Sequence, residues 1–175
     1  MYYLGKKSTM APSGKILTVD NFKNLGKHNL SRFYKERLFP KLNAELAEAC
    51  RQMEMVSNSG STPDGYDEAI NTSKEILKLF SVHSTHELKF ISQISATDSQ
   101  IETIQVEISK IKKEHKKIQS LFEKLTDIAN KFRLIPGISP YVKLADAHFS
   151  NLKQDFALLF FLEEEYLFPR LPELR

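Results

Sequence analysis

The chain has 175 residues, of which 41% are apolar and 27% charged, and its 25 Lys and Arg nearly balance its 22 Asp and Glu. This composition is typical of one globular domain and excludes a collagen-like or disordered chain, and no apolar run approaches the ~18 residues of a transmembrane helix. The basic start has no apolar signal-peptide segment behind it, and the single Cys50 excludes an intramolecular disulfide and a cysteine-based zinc site. We therefore expect a cytoplasmic protein with no membrane partner.

The N-terminal part of the chain divides into an arm and a first helix. Residues 1–20 are rich in Ser, Gly and Lys and have little periodicity, which predicts a flexible arm ahead of one helical domain at residues 21–175. The first helix of that domain spans about residues 21–55, and Pro40 predicts a kink or a join within it. Residues 57–65 are dense in turn formers and predict a loop.

Three further amphipathic segments follow the loop, at about residues 66–95, 99–134 and 141–168. The middle segment opens with a capping box from Ser99 to Glu102 and has the strongest helical periodicity of the sequence. Four such segments with short connections between the later ones predict an all-α fold, an antiparallel up-down-up-down four-helix bundle.

Lysines cluster between residues 110 and 117 of the third predicted helix. Acidic residues share this segment and no aromatic residues alternate with the lysines, which favours a solvated helix face over a nucleic-acid interface. We expect no nucleic-acid partner.

Four polar residues interrupt the apolar stripes of the predicted helices. His83 and Glu87 lie at consecutive inward positions of the second helix, and the other two, His115 and Glu163, lie on the third and fourth helices. Because a buried carboxylate costs several kcal/mol unless it is paired or coordinated, four such residues on three helices suggest a common cause.

The depths of these residues in the predicted bundle agree. Counting ~1.5 Å per residue from the turns near residues 98 and 138 places His83, His115 and Glu163 at a similar height, with Glu87 one turn from His83. Converging imidazoles and carboxylates suit iron, manganese or zinc. A buried His–Glu hydrogen-bond network without metal has the same sequence pattern, and the spacing alone leaves both interpretations open.

Three motifs accompany these residues: Glu114-His115 in the third helix, the His-x-x-x-Glu spacing of His83 and Glu87, and Leu-Phe-Pro169 after a pair of glutamates. Together they resemble the hemerythrin-like, cation-binding domain. The resemblance is closest to the branch that contains the di-iron iron–sulfur-cluster repair proteins, and it covers about residues 22–172.

The resemblance implies a non-haem iron site, with two irons, at these residues. His83 and His115 would be terminal ligands, and Glu87 and Glu163 would be bridging carboxylates. In the fourth helix, Leu159 stands where the family has a histidine, which leaves three alternatives: a di-iron centre with more open positions, a mononuclear site, or no site.

The first helix also departs from the family pattern. Its expected histidine falls on Arg32. His28, one turn earlier on the same face, is the predicted replacement ligand, and Tyr34 is a more distant candidate.

The function implied by the resemblance is O2 or NO binding or sensing, or iron–sulfur cluster repair, under oxidative or nitrosative stress. An alternative from a different class is a metal-free degenerate bundle that acts as a protein-interaction module, because Leu159 removes a ligand position. Of the remaining polar residues, we expect His86 to be exposed and His148 to lie at a polar boundary. We expect Glu164 and Glu165 to face solvent, with the alternative that a one-residue register shift brings Glu164 inward.

Overall fold

A computed structural model describes residues 16–58, 62–96 and 101–173, and within these ranges all regular structure is helical, with no strand. The predicted all-α fold class is therefore confirmed. Of the predicted N-terminal arm, residues 1–15 lie outside the described residues. Ile16 and Leu17, near its end, pack half-buried against the core.

The first predicted helix is built from several pieces. These are α1 at Val19–Asn24, α2 at Lys27–Phe33, a π-helical segment at Tyr34–Leu38 and α3 at Phe39–Asn58. The hydroxyl oxygen of Thr18 accepts a hydrogen bond from the Asn21 amide at 3.3 Å and so caps α1.

Three longer elements complete the fold. Helix α4 spans Tyr66–Ala96, α5 spans Ile101–Arg133 and α6 spans Pro140–Leu162, close to the predicted bounds of the first two. A second π-helical segment, Glu163–Leu167, and a 3₁₀ helix, Phe168–Glu173, continue α6. Ser99 of the predicted capping box lies outside the described residues.

The four long helices contact one another in a closed ring. Helix α3 packs against α4 and α6, and α5 also packs against α4 and α6. Their facing sides bury aliphatic and aromatic residues in one core, so that the packing is compatible with a four-helix bundle.

The two π-helical segments share a sequence motif. Each is followed by a proline in the second position after it, and each overlaps a Leu-Phe-Pro sequence that ends at Pro40 or Pro169. A proline cannot donate a backbone hydrogen bond and its ring crowds the carbonyl four residues earlier, which here belongs to Glu36 or Glu165. The wider π turn accommodates that carbonyl. The interruption predicted at Pro40 is therefore a π-helical segment just before the proline.

Among the described residues, none of the helices combines the length and apolarity that a membrane crossing requires. The long helices instead show the one-sided burial of elements that pack around a shared core.

Candidate metal centre

Four polar side chains lie in the interior of the helical packing. His83 and Glu87 are one turn apart on α4, His115 lies in the middle of α5, and Glu163 is the first residue of the second π segment. None of the four is more than 1% exposed. The structure therefore brings together, in the core, the four residues that interrupt the apolar stripes.

These side chains converge on one another. The Nε2 atom of His83 lies 3.2 Å from Oε2 of Glu87, and the Nε2 atom of His115 lies 3.3 Å from Oε2 of Glu163. The two imidazole rings are 5.0 Å apart, centroid to centroid. One potential ligand atom from each of His83, Glu87 and His115 lies within 4.8 Å of the others, so these three residues could hold a metal ion.

The inward-facing atoms of the cluster have no hydrogen-bond partner. They are Nε2 of His83 and of His115, both carboxylate oxygens of Glu87, and Oε2 of Glu163. Each Nε2 atom lies close to a carboxylate oxygen, but the angles at these atoms are not those of a hydrogen bond. Because an unpartnered buried polar atom is costly, and more so if it is charged, this arrangement fits a cation that all of these atoms bind.

The outward-facing nitrogens of both imidazoles are bonded to carboxylates. Nδ1 of His83 lies 2.9 Å from Oε2 of Glu114, and Nδ1 of His115 lies 2.9 Å from Oε1 of Glu164. A carboxylate on Nδ1 holds the proton there in the neutral imidazole, so that Nε2 is the nitrogen that gives up its proton to bind a metal. Metal-binding histidines are typically oriented in this way.

A phenol holds one of the inner carboxylates. Tyr34, the first residue of the first π segment, donates a 2.8 Å hydrogen bond to Oε1 of Glu163. Tyr34 is fully buried, and its burial, together with the nearby charges of Glu163 and Glu87, raises the pKa of its phenol well above the usual value. The phenol therefore stays protonated and donates at neutral pH.

Aromatic rings enclose the cluster. The ring of Phe160 stacks on the imidazole of His115 with centroids 4.0 Å apart, and Phe168 lies on the same imidazole at 6.0 Å. Phe80 lies 5.9 Å from the imidazole of His83. These apolar surfaces exclude water, and a low local dielectric strengthens every charge interaction among the polar residues.

The cluster shifts the proton affinities of its members. Burial opposes protonation of His83, but Glu114 and Glu87 outweigh it and raise the pKa of His83 to about 10. Burial likewise opposes protonation of His115, and the Glu163 carboxylate outweighs it and raises the pKa. Burial, together with the charge of Glu87, raises the pKa of Glu163 to about 7. Protons and a metal cation therefore compete for the same inward-facing atoms.

A chain of polar contacts connects the cluster to the surface. The second oxygen of Glu114 lies 3.0 Å from Nδ1 of His86, and Nε2 of His86 lies 3.0 Å from Oε2 of Glu107. His86 is half-buried between these carboxylates instead of exposed. The prediction of an exposed His86 is thus wrong, because the sequence pattern did not reveal the acidic partners on α5.

Of the other predicted positions, Glu164 falls differently. Glu164 is half-buried against His115, where we expected a solvent-facing residue, because the π segment gives the inward side an additional residue. Leu159 is fully buried and Arg32 is exposed, with its guanidinium 3.3 Å from the side-chain oxygen of Asn29. The side chain of His28, the predicted fifth ligand, lies outside the described residues. His148 is half-buried, with Nδ1 3.0 Å from the side-chain oxygen of Gln52.

Sequence reasoning assigned no orienting role to Glu114 and Glu164. Both are sequence neighbours of a predicted ligand, Glu114 of His115 and Glu164 of Glu163. A carboxylate directly next to an inward-facing residue is the sequence feature that could have indicated an orienting role. Which histidine each would meet depends on how the helices pack, since Glu114 bonds His83 on α4 and Glu164 bonds His115 on α5.

Comparisons with known proteins add no family to this description. No protein-family model, curated protein or solved structure matches the chain. The geometry itself establishes that buried His83, Glu87 and His115 could hold a metal ion, with Glu163 beside His115.

Proposed function

We propose that this protein is a hemerythrin-like, antiparallel up-down-up-down four-helix bundle that binds non-haem iron in its core. His83, Glu87, His115 and Glu163 hold the iron. The sequence resemblance to the hemerythrin-like domain and the position of these residues on three packed elements both support this proposal.

One observation carries the proposal. Five buried donor atoms from four residues face one another without a hydrogen-bond partner, while the opposite nitrogens of both histidines are bonded to carboxylates. In a hydrogen-bond network without metal, the inner atoms would be aligned with one another. The arrangement found therefore supports a coordinated cation over such a network.

The donor types favour iron or a similar first-row metal. Imidazole nitrogens and carboxylate oxygens, with no thiolate among them, suit iron, manganese or zinc, and two histidines with a carboxylate are a recurrent set for non-haem Fe(II). When bound, iron supplies an open coordination position and one-electron redox chemistry.

The surrounding residues determine what can reach this position. None of the four ligands is more than 1% exposed, and Phe160 and Phe168 cover His115, so the site suits a diatomic molecule better than a larger substrate. We therefore propose O2 or NO as the exogenous ligand, in binding, sensing or iron–sulfur cluster repair under oxidative or nitrosative stress. Glu114 and Glu164 hold the imidazoles in place, and Tyr34 holds Glu163.

Anaerobic loading with Fe(II) tests the proposal. Protein stripped with a chelator, reloaded and desalted should retain iron, melt at a higher temperature than the stripped form, and change its visible spectrum when NO is added. The double variant His83→Ala, His115→Ala should lose all three effects. His148→Ala, which removes a half-buried imidazole bonded to Gln52, is the matched control and should keep them.

The opposite result would support the alternative of a different class. If the wild-type chain retains no iron and its melting temperature does not respond to chelator or to Fe(II), the metal-binding proposal is wrong. A metal-free bundle that acts as a protein-interaction module would then be the better interpretation.

A further inference from the structure

The number of free donor atoms at the site is small. Within the part of the chain that the structure describes, the unpartnered atoms facing one another are two imidazole nitrogens and three carboxylate oxygens. One first-row metal ion takes about four to six donors, so this set fills most positions of a single ion. Two ions would need roughly twice as many.

The carboxylates that a second ion would need are already engaged. Di-metal sites of the ferritin-like helical bundles use four carboxylates and two histidines. In this chain the two additional candidates are Glu114 and Glu164. Glu114 contacts His83 with one oxygen and His86 with the other, while Glu164 contacts His115 with one oxygen and lies 3.6 Å from the ammonium group of Lys112 with the other.

Apolar side chains occupy the remaining inward positions nearby. Leu159, one turn before Glu163 on the same face of α6, is fully buried and offers no donor. Its neighbour Phe160 stacks flat on the imidazole of His115. Neither residue provides a ligand or a polar surface for a second cation.

We infer that the site holds one metal ion, ligated by His83, Glu87, His115 and Glu163, and not a pair. This inference rests on the proposed function and specifies how many metal ions the core site binds. Both oxygens of Glu87 are free, so that this carboxylate supplies up to two donors to the one ion, whereas Tyr34 occupies one oxygen of Glu163 and leaves it a single donor. About one position of six remains for a diatomic ligand.

Equilibrium dialysis against Mn(II), with the bound metal counted by mass spectrometry and by electron paramagnetic resonance, tests the inference. The full chain should saturate at one Mn(II), with the spectrum of an isolated ion. Native mass spectrometry of the Fe(II)-loaded chain should show a mass increase of one iron.

The variant His83→Ala, His115→Ala separates the site from weak surface binding. The difference in bound metal between the wild-type chain and this variant is the content of the core site, and the expected difference is one ion per chain. A difference of two, or a spin-coupled Mn(II) pair, would overturn the single-ion inference and leave the proposed function standing. A difference of zero with both Mn(II) and Fe(II) would overturn both.

Discussion

The same long helices build two regions of opposite character. The polar layer consists of Tyr34, His83, Glu87, His115 and Glu163, in which unpartnered polar atoms face one another without exposure to solvent. The apolar end consists of a second set of buried residues around a cavity of about 20 Å³, namely Met53, Leu125, Phe132 and Phe149. Burial stabilises the apolar end by itself, whereas the buried carboxylates of the polar layer cost free energy unless protons on the histidines or a metal cation balance their charge. The apolar end therefore stabilises the fold that the polar layer needs for its function.

Phe132→Ala should destabilise the apolar end without changing metal binding in the polar layer. Phe132 is 5% exposed and its ring lies 5.6 Å from that of Tyr66. Removing a buried phenyl ring costs about 3–5 kcal/mol, so the free energy of unfolding should fall by that amount in denaturant titrations of both stripped and metal-loaded protein. The half-exposed Phe161, as Phe161→Ala, is the control and should cost less than about 1 kcal/mol. A loss of bound metal in folded Phe132→Ala would show that the regions are not independent.

Glu87→Gln should have the opposite effect in the polar layer. Neither oxygen of Glu87 has a hydrogen-bond partner, and its charge raises the pKa of Glu163. Without the carboxylate, metal affinity should fall about 100-fold or more, so the loss of stability should be much larger in the metal-loaded protein than in the stripped protein, where Glu87 gives up only its pairing with protonated His83. The exposed Glu123→Gln on α5 is the control for the loss of one charge. A large destabilisation of the stripped protein would mean that protonated histidines alone are enough to hold Glu87.

The sequence predicted the long helices of the fold but not the π segments. Helices α4 and α5 were predictable because their apolar residues recur at helical spacing. This pattern depends only on which face of the helix is buried. The π segments do not follow from it. Their additional residue per turn depends on how the chain accommodates Pro40 and Pro169, and helical periodicity is insensitive to such a local change.

The candidate site was likewise predictable only in part. His83, Glu87, His115 and Glu163 were predictable, because a polar residue on an apolar stripe is visible in the sequence. Their partners were not, since Tyr34 meets Glu163 across 129 positions of sequence, a contact that only the packing of the helices determines. The prediction that these residues are metal ligands stays a prediction.

Glu114→Gln should sharpen the comparison by weakening the polar layer from outside. Glu114 bonds Nδ1 of His83 but has no place among the inward-facing donors. Replacing a carboxylate that orients a metal-binding histidine typically lowers affinity 10- to 100-fold, which a competition titration with a chromophoric chelator would measure. Glu107→Gln, one contact farther out on His86, should change affinity less than threefold. Equal effects of both variants would indicate a general loss of negative charge and no orienting role.

The pH dependence of metal binding should distinguish the polar layer from an ordinary surface site. The pKa of His83 is raised to about 10, so near pH 7.5 the metal must displace a proton from its imidazole. The affinity for Mn(II) should therefore rise with pH, by about tenfold per pH unit for each proton displaced, and more steeply below pH 7, where Glu163, with a pKa of about 7, also binds a proton. Proton release on metal addition to a weakly buffered sample measures the same quantity. An affinity that is constant between pH 7 and 9 would contradict protonation of His83.

Tyr34→Phe should give the smallest effect and is the most specific test of how the polar layer meets the apolar side chains beside it. The ring of Tyr34 packs edge-on against Phe39 at 5.0 Å, an apolar contact, whereas its hydroxyl bonds Glu163 in the polar layer. The variant keeps the ring and removes only the hydrogen bond, so the stripped protein should lose about 1–2 kcal/mol of stability because Oε1 of Glu163 is left buried without a partner.

Metal binding in Tyr34→Phe should change in a way that packing alone does not produce. The freed Oε1 of Glu163 becomes available to the cation, so affinity should stay within about tenfold of wild type while the reduction potential of bound iron falls, because a second carboxylate oxygen favours the ferric form. Phe33→Leu, which removes a neighbouring ring but no polar atom, should lower stability and leave the potential unchanged. If both variants shift the reduction potential equally, Tyr34 acts through the packing of its ring. Its hydroxyl would then have no role in the polar layer.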